Sequence, residues 1–384
     1  MGSEHPARLG HPGSSVTRPS APAIYQTTAF DVPDLDVLQA LYAGTQSGDI
    51  YTRDSNPNHS ALAAAIAELE GTESGAVFAS GMGAAGSVFL SLAGVGDHVI
   101  VARSLYGKTL QLASRMQQLG VSISQFDVSK PAELAGLLTE RTRFVLVETI
   151  SNPLLEVADL PEIVRWAGVV PVVVDSTFTT PELIRPCGLG ASIVYHSASK
   201  YLNGHGDVML GVAAGSRELM RRLQETASIF GQNANPFESW LTLRGLRTLP
   251  LRMRQICDTA RRLAEYLSGH AGVGRVYYPL LLGHGSRERA ERMYSSGTGG
   301  IVSFELRGGG FEAVNGFMRR LRGIPFSPTL ADARTTISHP ATTSHRFLTA
   351  EERSGLGIAD ELIRVSVGLE PFEMLAGEFG AALG

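Results

Sequence analysis

The stretch SIVYHSASKYLNGHGDVMLGVAAG, Ser192–Gly215, decides how the rest of the chain is read. It opens as an apolar strand, runs into the small hydroxyl residues Ser197 and Ser199, and then sets Lys200 ahead of a Gly/His-rich loop. A lysine placed directly after two such residues at a strand end is poorly explained as a solvated surface charge. Buried or electropositive surroundings lower a lysine's pKa and make it a nucleophile toward aldehydes, which is the chemistry of a Schiff-base lysine. The flanking hydroxyls can donate to phosphate oxygens.

Upstream, VVVDSTFTTP (Val172–Pro181) is a buried-type apolar run that stops at Asp175 and small polar residues. In parallel α/β sheets ligands sit at such carboxyl ends; the alternative is that Asp175 only caps a turn or helix. Further upstream, FASGMGAAGSVFLSL (Phe78–Leu92) takes a strand through Ser80, Gly81 and Met82 into a helix. Glycine there lets backbone N–H groups approach an anion, and a helix start favours negative charge. A plain tight β-α turn is the competing reading. With a lysine and hydroxyl cluster elsewhere, a phosphate cradle fits better.

Around these segments, apolar runs at Val77–Ala79, Val99–Ala102, Phe144–Glu148 and Val169–Asp175 alternate with amphipathic stretches at Ser60–Glu70 and Leu110–Gln118. That rhythm predicts β-α units feeding a mostly parallel sheet, an α/β fold with right-handed crossovers. Near Asn235 the texture changes to one long helical region with a possible break at Pro250. A smaller α+β C-terminal domain follows, with strands at Val276–Tyr278, Ile301–Leu306 and Leu362–Val367 and helices around Phe311–Leu321 and Phe372–Ala382. The expected organisation is an N-terminal arm (1–50) contributing to oligomer contacts, a large domain (51–235), and a connecting helix with the small domain (236–384).

Composition narrows the function. With 384 residues, 43% hydrophobic and 18% charged, the chain has the balance of an ordinary soluble protein. A net charge of -4 without a basic block argues against nucleic acid as a partner. Met1–Ser20 is rich in Gly, Ser, Pro and His and reads as a flexible arm, neither signal peptide nor membrane span. The two cysteines, Cys187 and Cys257, suggest neither a disulfide framework nor a metal site, and a reducing cytoplasm fits.

In order and rough spacing these motifs resemble the Cys/Met-metabolism pyridoxal-phosphate enzymes. The similarity runs from about Pro22 to the C-terminus and includes YTRDSNPN (from Tyr51), SLYGKT (from Ser104), ETISNP (from Glu148), RGLRTLPLRM (from Arg244), SHPATTSH (from Ser338) and LIRVSVGLE (from Leu362). The resemblance implies a fold-type-I, aspartate aminotransferase-like architecture and pyridoxal 5′-phosphate bound covalently to Lys200. It also implies that Asp175 keeps the pyridine nitrogen protonated, that Tyr106 stacks on the ring, and that Asn152 contacts the ring hydroxyl. Ser80, Gly81, Met82, Ser197 and Ser199 would hold the phosphate. Tyr51 and Arg53 would reach it from a neighbouring subunit of a homotetramer, a dimer of dimers with shared active sites; a surface ion pair is the bland alternative for Arg53. Arg364 would clamp the substrate α-carboxylate, and Glu148 lies in the same strand-end segment as Asn152.

Some positions depart from the family pattern. Thr329 begins TLADART where the family usually has a different small residue before a glycine-containing turn, and it is expected to contact substrate. Arg334 stands where cystathionine-handling members usually carry a glutamate, so it would repel a distal ammonium. Lys108 replaces the Cys typical of methionine γ-lyase, and either faces the substrate's far end or turns into solvent. The resemblance is nearest to the O-acylhomoserine sulfhydrylase branch, and implies γ-replacement or γ-elimination on a Cγ-activated L-amino acid. The rivals are a specialised biosynthetic enzyme, a cystathionine or methionine γ-lyase, and a non-catalytic cofactor-binding relative.

Overall fold

The computed structural model describes residues 20–384, so the arm expected at Met1–Ser20 falls almost wholly outside the described residues. Two sheets organise the chain. The larger contains β1 (Ser74–Phe78), β2 (His98–Ala102), β3 (Ser122–Phe126), β4 (Thr142–Glu148), β5 (Val172–Asp175), β6 (Ile193–Ser197) and β7 (Gly211–Gly215), in the spatial order β1-β7-β6-β5-β4-β2-β3. Strands from β3 across to β6 pair in parallel, and β7 runs antiparallel to both its neighbours. Parallel strands are covered on both faces. Accordingly β2 is buried along its whole length, and β4 and β5 are continuous apolar runs rather than alternating ones. Leu62 and Ile66 of the helix Pro57–Glu70, and Val88 and Phe89 of the helix Gly81–Leu92, pack into the same core.

The smaller sheet contains β8 (Val273–Tyr277), β9 (Ile301–Leu306), β10 (Thr336–Ser338) and β11 (Leu362–Ser366), ordered β10-β11-β9-β8 and antiparallel throughout. Phe304 of β9 meets Phe317 and Phe379 edge-on, with centroids 5.8 and 6.1 Å apart. That places the helices Gly310–Arg320 and Phe372–Leu383 on one face of this sheet.

The helical region after Asn235 is two helices, Pro236–Leu246 and Leu249–Ser268. The break precedes Pro250, which sits in the first turn of the second helix, where its missing N–H leaves no helical bond unmade. The strand expected from Val169 begins at Val172: Gly168 takes φ +62°, Val169 is fully exposed, and Pro171 has no N–H to give a ladder.

Candidate active site

The carboxyl ends of β4, β5 and β6 open into one cavity of about 810 Å³, the position at which open α/β sheets take ligands. Glu148 ends β4 and is paired in register with Asp175, which ends β5; Ser197 ends β6. Lys200 follows just beyond. Its Nζ donates to Thr329 Oγ1 at 3.3 Å, and no carboxylate among the described residues forms an ion pair with it. Burial pulls its pKa down, the Arg364 charge adds to the effect, and Asp332 opposes it.

One wall of the cavity is the start of the helix Gly81–Leu92. Ser80 caps that helix in an extended conformation, its Oγ accepting from Gly83 N–H at 2.9 Å. The amides of Gly81 and Met82 therefore have no partner within the helix, and both residues line the cavity. A Cβ at Gly81 would lie 2.7 Å from Ser197 Cβ and 2.9 Å from Ser197 Cα, so only glycine lets the helix start meet the end of β6. A Cβ at Gly211 would likewise overlap the Ser80 carbonyl oxygen. Ser199 is partly committed to its own loop, because its Oγ accepts from Leu210 N–H at 2.9 Å.

Across the cavity, Asp175 Oδ1 accepts from the backbone N–H of Thr177 at 2.9 Å and from its hydroxyl at 2.5 Å. Burial raises the Asp175 pKa, while the Thr177 bonds and the nearby His196 pull it back. Glu148 is pushed well above the ordinary carboxylate range, first by burial and then by the charge of Asp175. Its Oε1 accepts from Tyr106 N–H at 2.5 Å, which fixes Tyr106 at the head of the helix Gly107–Gln118. Burial also raises the Tyr106 phenol; Arg364 opposes that rise, whereas Glu148 and Asp175 add to it.

Arg364 comes from the other sheet, in the middle of β11, and is 3% exposed. Its Nη1 donates to Asn152 Oδ1 at 3.0 Å and its Nη2 to the Thr329 carbonyl at 3.1 Å, while Nε is buried without a partner. None of these partners is an acid. Burial brings the guanidinium down to about 10, against the opposing pull of the Tyr106 and Tyr201 hydroxyls. The site thus holds a buried cation that faces the cavity with no counter-charge.

The remaining candidates divide. Tyr51 and Arg53 are exposed and outside the lining of this cavity; Arg53 stacks over the Tyr51 ring at 5.0 Å, and its Nε is 3.9 Å from Asp54. Lys108 lines the cavity mouth, exposed, and its Nζ donates to Gln111 Oε1 at 2.9 Å. Arg334 is exposed and does not line the cavity, which corrects the expectation that it meets the substrate's far end. Arg346 does line it, together with Phe326, Phe347 and Met209. Met209 lies within the Ser192–Gly215 stretch without having been singled out there, and the nearest cue to Arg346 and Phe347 was the HPATTSH run that precedes them.

Helix-start amides and hydroxyls at one end, an amine of lowered pKa between, and a buried carboxylate opposite suit a ligand with a phosphate, an aldehyde and a basic ring nitrogen. Residues 7–384 match the family model for the Cys/Met metabolism PLP-dependent enzymes. The chain belongs to this family. Its cofactor is therefore pyridoxal phosphate, and it is a PLP-dependent lyase or transferase acting at Cγ. Among similar members of the family, the L-methionine γ-lyase of Pseudomonas putida is 39% identical over 94% of this chain and 92% of its own length. The O-succinylhomoserine sulfhydrylase of Pseudomonas aeruginosa is 38% identical over 94% and 90%. The fold type I architecture is shared with a putative O-acetylhomoserine (thiol)-lyase from Campylobacter jejuni, solved with N′-pyridoxyl-lysine-5′-monophosphate. That structure superposes with a TM-score of 0.92 at 27% identity, covering 98% of each chain.

Proposed function

We propose that this PLP-dependent enzyme carries out γ-replacement on an O-acylated or otherwise Cγ-activated L-homoserine-type substrate, as an O-acylhomoserine sulfhydrylase does. The observation that carries the reading is Arg364, a buried guanidinium with two neutral partners and no acid. Such a charge is costly unless an anion arrives, and the α-carboxylate of an amino acid supplies one in the bidentate geometry that arginine prefers.

On this reading the amides of Gly81 and Met82, with the hydroxyls of Ser80, Ser197 and Ser199, hold the cofactor phosphate. Asp175 accepts from the ring nitrogen, whose positive charge offsets the burial that otherwise raises the Asp175 pKa. Asn152 gives Oδ1 to Arg364 and keeps its Nδ2 for the ring hydroxyl. Lys200 carries the cofactor, and Tyr106 covers the ring face. Bound pyridoxal phosphate supplies an electron sink for charge released next to the amino group. The Lys200 amine, easily deprotonated because it is buried, moves protons at Cα and then Cβ, and Tyr106 stands ready to exchange a proton beside it. Glu148 acts by holding the Tyr106 backbone. Tyr51 and Arg53 complete the phosphate site of a neighbouring subunit in a homotetramer.

A methionine γ-lyase reaction is the second reading, favoured by the Pseudomonas putida relative. The two are separated by incubating the holoenzyme with O-acyl-homoserines, methionine and cystathionine, with and without sulfide, and reading products by mass spectrometry. A sulfide-dependent thiol amino acid from an ester is the expected product. Faster cleavage of methionine or cystathionine than of every ester would sink the proposal.

A further inference from the structure

We infer that Lys108 and Arg346 form an anion-binding subsite at the mouth of the cavity, so that the preferred substrate carries a second negative charge beyond Cγ. The inference rests on the proposed Cγ chemistry and names its substrate class. Lys108 stands in the first turn of the helix Gly107–Gln118, and Arg346 belongs to the segment that follows β10. Gly107 brings the two segments into contact: a Cβ there would overlap the Phe347 ring and come 2.8 Å from the Ser344 carbonyl oxygen. The residue after Gly107, Lys108, and the residue before Phe347, Arg346, are the two cations, and both line the cavity.

The charges at this mouth are one-sided. Neither Lys108 nor Arg346 pairs with an acid among the described residues, and the acids lining the cavity are Glu148 and Asp175. Those two are already engaged at the inner end by Tyr106 N–H and by Thr177. Gln111 orients Lys108 through its carbonyl oxygen and leaves the other ammonium protons for a ligand. The first turn of this 12-residue helix adds its own preference for negative charge. Phe326 and Phe347, 50% and 41% exposed, offer an apolar wall for the carbon chain that leads to such a group. A succinyl-type ester and a phosphoryl ester share this chemistry, whereas an acetyl ester lacks it.

Two measurements on the holoenzyme test the subsite. The first compares kcat/KM for O-succinyl-, O-phospho- and O-acetyl-L-homoserine in wild type, Lys108→Gln, Arg346→Gln and the double variant. Wild type should prefer one or both charged esters over the acetyl ester by about tenfold or more, each single variant should cut that ratio roughly threefold to tenfold, and the double variant should erase it. The surviving charged ester tells carboxylate from phosphate. No preference in wild type, or variants that slow all esters by the same factor, would overturn the inference. The second titrates L-2-aminoadipate against L-norleucine, following the absorbance of the bound cofactor. Tighter binding of 2-aminoadipate, lost in the double variant, supports the subsite even if no ester turns over, in which case the proposed reaction alone fails. Equal or tighter binding of norleucine removes the subsite.

Discussion

Arg364 is held in the middle of β11 by two neutral partners, an arrangement that favours function over stability. Replacing buried charges by apolar residues is often neutral or stabilising, because the desolvation cost disappears. We therefore expect Arg364→Leu to melt, in the absence of substrate, at or above the wild-type temperature. The same variant should lose on the order of a hundredfold in kcat/KM, since a charge-assisted contact to a carboxylate is worth about 3 kcal/mol. Differential scanning calorimetry beside steady-state kinetics checks both halves, and a large fall in melting temperature with unchanged kinetics would contradict the assignment. Lys200, Asp175 and the Ser80–Met82 turn were legible in the sequence because each breaks an apolar run with residue types that a simple strand end does not need. Arg346 was not legible, since one arginine in a loop carries no periodicity. Its place at the mouth depends on Gly107, far from it in the chain.

At the scale of elements, the long apolar strands β2, β4 and β5 followed directly from their composition. β7 did not, because its sequence Gly-Val-Ala-Ala-Gly has low strand propensity and reads as loop. Tertiary packing decides it: β7 lies between β1 and β6, and only glycine at 211 clears the Ser80 carbonyl. The edge strand β3 was missed for the opposite reason, since Ser122, Ser124 and Gln125 make it polar enough to resemble a connection. The contact between the helix Gly81–Leu92 and β6 yields a prediction. Gly81→Ala should force the helix start away from Ser197 and weaken cofactor binding by roughly tenfold or more, read by absorbance titration of apoenzyme with pyridoxal phosphate. Gly94→Ala is the control, because a Cβ there meets nothing closer than Asp97 Oδ2 at 3.8 Å. Equal affinities for the two variants would show that this close approach does not shape the phosphate site.

For the molecule as a whole, the sequence pattern anticipated a mostly parallel sheet and a smaller C-terminal one. The family resemblance implied that Tyr51 and Arg53 serve a neighbouring subunit, and both are exposed and outside the cavity of their own chain. If they serve a neighbouring subunit, Arg53→Ala and Lys200→Ala are each inactive alone, and mixing them should recover up to about a quarter of wild-type activity through sites built from one intact half of each. Heterodimers that form, as shown by native mass spectrometry, but stay inactive would refute subunit sharing. The bond from Arg364 to Asn152, and the one from Ser303 Oγ to the Pro153 carbonyl at 2.7 Å, have a mechanical meaning at this scale. They are rivets between the smaller sheet and the loop leaving β4. A carboxylate that competes with Asn152 for Arg364 would loosen one rivet while its own molecule, held over the larger sheet by the cofactor site of Gly81, Met82 and Asp175, replaces it. The amino acid would then be a structural member spanning the seam, and each turnover would load and unload the joint between the two halves of the chain.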